Sequence, residues 1–111
     1  MVNTLEDKKA ENIILLDLRP NGLKTDYAIT DFFIICTGSS NRQIKALAEN
    51  VREAVKTRAG KLPFSMEGEA DSGWVLVDYG TIIVHIMGEE ERRYYDLEGL
   101  WRNANVLLSI Q

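Results

Sequence analysis

The run Ile29 to Thr37, ITDFFIICT, constrains this chain most, because it is mostly apolar and is closed at once by the turn Gly38-Ser39-Ser40-Asn41. A nearly continuous apolar run of this length reads as a strand covered on both faces, and such strands occupy the middle of a sheet. Beyond the turn the period changes. Ile44, Leu47, Ala48, Val51 and Val55 recur at helical spacing, and Ser40 with Gln43 supplies an S-x-x-Q capping box. The spacing predicts a helix over 41–58, stopped at Gly60, with Lys45, Arg52, Lys56 and Arg58 facing solvent.

The remaining elements follow from the same signals. Thr4 with Asp7 makes an approximate capping box for a short first helix running to about Asn12. Ile13 to Leu18 reads as a buried strand, closed by the turn signal Pro20-Asn21-Gly22. Pro63 to Glu67 fits a short edge strand, since Pro63 cannot donate to a ladder. Trp74 to Val77 and Thr81 to Met87 form a hairpin across Asp78-Tyr79-Gly80. In the second of these strands, alternation puts Ile82, Val84 and Ile86 on one face and Ile83, His85 and Met87 on the other. Glu89, Glu90 and Glu91 suit the start of a final helical region reaching about Arg102, because acids in a first turn complement the helix dipole. For Val106 to Ile110 an extended return to the core is one reading, though the pattern is too short to decide. The order α, β, β, α, β, β, β, α describes an α/β or α+β fold: a mixed sheet of about five strands flanked by helices.

A chain of 111 residues with 45% hydrophobic content supports one core, hence a single domain over 1–111. No apolar run approaches the roughly 18 to 20 residues a membrane span needs, and the N-terminus lacks the apolar stretch of a secretory signal, so a soluble, cytoplasmic protein is expected. Cys36, the only cysteine, lies inside an apolar run; this excludes an internal disulfide and favours a small buried hydrophobe. Charge is unevenly distributed. From Arg42 to Lys61 six Lys and Arg stand against two acids, whereas from Glu67 to Glu98 nine acids stand against two arginines. The acidic half repels phosphate backbones and attracts basic proteins, so little direct RNA contact is expected of it; an ordinary solvated face is the alternative.

Few residues suggest catalysis. Gly38-Ser39-Ser40, between a strand and a helix, is similar to the G-S turn of nucleotidyltransferases, whose backbone amides hold a phosphate. Such enzymes also need paired carboxylates for magnesium, yet no D-x-D or D-x-E follows Ser39 at a suitable distance, and Asp78 is the sole acid of its hairpin. Neither a P-loop nor a GxGxxG is present. The turn therefore reads as structural. His85 is the only histidine, so a metal site would have to be built almost wholly of carboxylates, and a hydrogen-bonded, partly buried histidine is the default. No cofactor or metal is expected.

Trp74, Tyr79, Tyr94, Tyr95 and Trp101 crowd five of nine aromatics into an acidic segment. Aromatic anchors amid charge suit a protein interface, with core packing as the rival for each, most of all for Trp101.

The segments ITDFFIICTGSSNRQIKALAENV, MEGEADSGWVLVDYGTIIVHI and RRYYDLEGLW, in this order, resemble the ribosomal silencing factor (Iojap-like) family. The resemblance implies a nucleotidyltransferase-like domain without catalytic carboxylates, and no enzymatic activity. It implies binding to a basic protein of the large ribosomal subunit at the intersubunit face, which blocks the small subunit and represses translation. Carried over by motif, the partner-binding surface comprises Trp74, Leu76, Asp78 and Tyr79 with Tyr94, Tyr95 and Asp96, and Glu67 with Gly68 adjoins it. The stretch Pro20 to Ala28 is longer than the family pattern and reads as a neutral insertion. The competing functional reading is a nucleotide-binding protein or vestigial nucleotidyltransferase, resting on Gly38-Ser39; a homodimer formed when the hairpin face self-pairs in the absence of the ribosome is compatible with silencing.

Overall fold

The computed structural model describes residues 1–19, 30–102 and 104–111. The expected turn at Pro20-Asn21-Gly22, the long connection over 20–28 and the first residue of the run from Ile29 lie outside them.

Six strands form one sheet: β1 (Glu11–Asp17), β2 (Phe32–Thr37), β3 (Ser65–Glu69), β4 (Trp74–Asp78), β5 (Ile82–Met87) and β6 (Asn105–Ile110), in the order β3-β4-β5-β2-β1-β6. The apolar run is central, as its composition demands. β2 pairs parallel with β5 and antiparallel with β1, which makes the sheet mixed. Alternation along β2 divides the core: Ile34 and Cys36 pack with Val75, Val77, Val84 and Ile86 under a long helix, while Phe33 and Ile35 join Leu16, Ile83, Met87 and Leu97 on the opposite face. Cys36 is fully buried, and desolvation pushes its thiol up to about 12, the behaviour of an inert apolar side chain.

That long helix, α2 (Asn41–Ala59), begins where the capping box predicts. Ser40 is extended and its Oγ accepts from the Gln43 amide at 3.1 Å, and the helix stops at Gly60 in the left-handed region, φ 65°. Ile44, Leu47, Ala48 and Val51 are its buried stripe. A Cβ on Gly38 would stand 2.7 Å from the Ile44 side chain, so glycine there lets the helix start sit close on the sheet.

Two expectations need correction, and one open reading is decided. The first helix, α1 (Val2–Asp7), is shorter than Thr4 to Asn12, and Thr4 is buried within it and is no cap. Glu11 already pairs with Thr37, so sheet pairing takes the residues that weak helix propensity would have claimed. The final helical region is two helices, α3 (Glu89–Tyr95) and α4 (Leu97–Leu100), divided at Asp96 with φ 44°. Asp96 closes the first, and its carboxylate caps the second by accepting from the Gly99 amide at 3.1 Å. Finally, the segment after Arg102 is a sixth strand paired with β1.

Candidate functional site

β4 alternates strictly. Val75 and Val77 point to α2, which leaves Trp74, Leu76 and Asp78 on the other face. β3 runs beside it with Glu67 opposite Leu76 and Glu69 opposite Trp74, and β3 has no further neighbour on its outer side among the described residues. This end of the sheet is left open by α4, whose Leu97 covers only the middle.

Trp74 is fixed from two sides. Its indole Nε1 donates to His85 Nδ1 at 3.1 Å, and Tyr95 of α3 lies over it with ring centres 4.7 Å apart. The start of α3 is tied to the hairpin, since the Gly88 amide donates to the Gly73 carbonyl at 2.8 Å and the Glu91 carboxylate lies close to both glycines. Aromatic contacts then continue in both directions. Tyr94 meets Tyr95 edge-on at 5.0 Å, and Phe33 meets His85 at 4.5 Å and Trp101 at 5.7 Å. A row of rings thus crosses the face from the buried Phe33 to Tyr94, which is 82% exposed. Such edge and tilted arrangements are the favoured geometries of aromatic pairs and fix the rings against one another.

A groove of about 250 Å³ opens beside this row, lined by Glu67, Gly68, Ser72, Trp74, Leu76 and Tyr95. Gly68 has φ 83°, and a Cβ there would fall 2.2 Å from the Trp74 carbonyl oxygen, so glycine lets β3 approach β4 at the groove floor. The structure therefore brings together Glu67, Trp74, Leu76 and Tyr95 of the residues named from sequence, with exposed Tyr94 continuing the row. Asp78 shares the face further along β4, but its Oδ1 accepts from the Gly80 amide at 2.7 Å and shapes the hairpin turn. Asp96 is occupied with capping α4. Tyr79 packs on the α2 side of the sheet, where burial pushes its phenol up, so it does not join the groove.

Sequence reasoning did not assign His85, Phe33 or Ser72 to this face. His85 is more buried than expected, at 4% exposure, and desolvation lowers its pKa to about 4, so it is a neutral hydrogen-bond acceptor for Trp74. The hairpin turn was the available signal, because once it is fixed the register sets Leu76 opposite His85.

A second cleft, of about 410 Å³, lies where β1, β2 and α3 converge and includes Asn12, Thr37, Arg92 and Glu98. Of its two arginines, Arg92 and Arg93, the first is committed, donating to the Asn12 carbonyl, to Thr37 Oγ1 at 2.9 Å and to the Glu98 carboxylate at 3.3 and 3.4 Å. The Gly38-Ser39 turn is likewise occupied: the Ser39 amide and hydroxyl both donate to Gln43 Oε1, and Gln43 Nε2 donates to the carbonyls of Lys8 and Lys9. The Ser39 amide and hydroxyl are thus both taken by a side chain of the protein itself. Among the described residues no group of three or more His, Cys, Asp or Glu could hold a metal ion.

The family model described as "Ribosomal silencing factor during starvation" matches residues 1–111. The chain belongs to this family. The protein named "Ribosomal silencing factor RsfS" of Bacillus subtilis is 37% identical over 89% of this chain and 79% of its own length. Its Chromobacterium violaceum namesake is 42% identical over 90% of this chain and 77% of its own. A mouse protein named "Mitochondrial assembly of ribosomal large subunit protein 1" is 29% identical over 91% of this chain, but only 43% of its own length is covered. A crystal structure of a C. violaceum protein superposes with a TM-score of 0.78 at 40% identity, covering 91% of this chain and 79% of that one. The family resemblance drawn from the three segments and the α/β fold both stand.

Proposed function

We propose that this silencing factor binds a basic protein of the large ribosomal subunit at the intersubunit face, and that its bulk there blocks the small subunit and represses translation in the cytoplasm. The observation that carries this reading is the open groove beside Trp74, in which preorganised aromatic rings and an apolar Leu76 stand beside the acidic Glu67. Aromatic anchors provide desolvated contact area, while Glu67 complements a basic partner and disfavours a phosphate backbone. The name of the mouse relative, which refers to the large subunit, points the same way. Nothing in the mechanism requires catalysis. The nucleotide-binding alternative is disfavoured by Gln43, whose side chain uses the amide that a phosphate would need.

The test is cosedimentation with purified large subunits, followed by reassociation with small subunits. Wild-type protein is expected to enter the large-subunit peak and suppress the joined peak. Trp74→Ala and Glu67→Lys should each weaken binding by at least about tenfold, in line with the loss of an interface anchor or a charge reversal at its rim. Retention of wild-type binding by both variants would sink this surface, and wild-type protein left at the top of the gradient would sink the function.

A further inference from the structure

The helix layer on one side of the sheet stops short of the outer strand. Met66 of β3 stands opposite Val77, on the side of the sheet that α2 packs against. Phe64 precedes β3 and its amide donates to the Asp78 carbonyl at 2.7 Å, so alternation sets its ring on that side too, near Gly80. α2 covers neither. Met66 is 41% and Phe64 84% exposed, with Leu62 of the same connection at 56%. Between α2 and β3 lies a trough of about 360 Å³ whose apolar lining is Ala48, Met66, Ala70 and Val75. Charge along it is graded. Near the start of α2, Glu49, Glu69 and Asp71 outnumber Lys45. Arg52 and Lys56 continue the Glu49 stripe of the helix towards Tyr79, whose phenol feels the Arg52 charge, and with Lys61 they outnumber Glu53 at that end. Among the described residues none of these charges belongs to an ion pair.

We propose that the trough between α2 and β3 receives an amphipathic helix of a partner protein, its apolar stripe on Phe64 and Met66, its acidic residues beside Arg52 and Lys56, and its basic residues beside Glu69 and Asp71. The dimensions suit a helix. Phe64 to Gly68 spans about 14 Å at strand rise, and three apolar residues one turn apart on a helix cover about 12 Å. Charge selects among the occupants. Glu49, Glu69 and Asp71 repel a phosphate backbone, which disfavours RNA here. A second copy of the chain offers no such helix, because among the described residues α2 alone is longer than seven residues and its apolar stripe is already on the sheet. A helix laid beside α2 covers the exposed apolar side chains and extends the layer over β3. Val75 lines this trough while Trp74 and Leu76 point to the other face of β4, so the site lies across the sheet from the aromatic groove and does not rest on the ribosomal reading.

Heteronuclear NMR of the whole chain tests this without ribosomes. The probe is a synthetic helical peptide of about 18 residues, with leucines one turn apart along one face, glutamates flanking them in one half and lysines in the other. Titration should move the amide signals of Ala48, Arg52, Phe64 and Met66 and leave those of Trp74 and Tyr95 in place. Phe64→Ala and Arg52→Glu should each weaken the probe by at least about tenfold, with the remaining amide spectrum unchanged, while Trp74→Ala should bind it as wild type does. A peptide with the same leucines and lysines throughout should bind at least about tenfold more weakly than the two-signed probe. Phe64→Ala should still cosediment with large subunits as wild type does, which keeps this site separate from the aromatic groove. Shifts centred on Trp74 and Tyr95, equal binding of the all-lysine peptide, or a spectrum unmoved by millimolar probe would each overturn the proposal.

Discussion

Burial of His85 among Phe33, Trp74 and the sheet keeps its imidazole neutral, with a pKa of about 4 in place of the ordinary 6.5. Between these values the unfolded chain binds a proton that the folded protein refuses. The associated stability is therefore complete above about pH 6.5 and falls away as the pH drops towards 4, by about 3 kcal/mol at most. Urea denaturation of wild type and His85→Gln between pH 7 and pH 4 should show the gap between them closing in acid; parallel curves would exclude this role. Trp74 was legible in the sequence because it opens an apolar strand within an acidic segment. Its acceptor was not, since the Trp74–His85 bond crosses between strands and becomes visible only with the hairpin register.

Local signals define some elements better than others. The ends of α2 followed directly from Ser40, Gln43 and Gly60, whose effects act within one helical turn. The division between α3 and α4 was hidden because Asp96 adopts a left-handed conformation that its own cap to Gly99 rewards, and no local periodicity records such an exchange. The sixth strand needed β1 as a neighbour, so a short apolar run alone could not identify it. Gly68 tests the join of β3 to β4: Gly68→Ala forces a side chain onto the Trp74 carbonyl at positive φ and should cost on the order of 2–3 kcal/mol, read as a lower denaturation midpoint. Arg92 tests the tie of α3 to α4 and to the inner strands β1 and β2. Arg92→Met should cost about 1–2 kcal/mol, because Thr37 loses a donor beneath the largely buried guanidinium while the half-exposed Glu98 is rehydrated. A change below about 1 kcal/mol in either variant would show that the neighbouring chain relaxes freely.

The whole molecule separates a helical face bearing Lys45, Arg52, Lys56 and Arg58 from an aromatic face whose groove is lined by Glu67. This division follows from pattern alone, since α2 buries one stripe and β4 alternates, yet the closing of the groove by Tyr95 depended on where α3 was tied down. If the acidic rim meets a basic protein, binding to large subunits should weaken severalfold as monovalent salt rises from roughly 50 to 200 mM, with Glu67→Gln reducing that dependence. Salt-independent binding would place the contact on apolar surface alone. The row of rings also determines how the molecule handles light. The chain has two tryptophans, and both stand in that row, one against Tyr95 and the other against Phe33. Indole emission under selective excitation therefore arises wholly from the candidate face, so the unlabelled protein can report its own occupancy through a shift in wavelength or intensity.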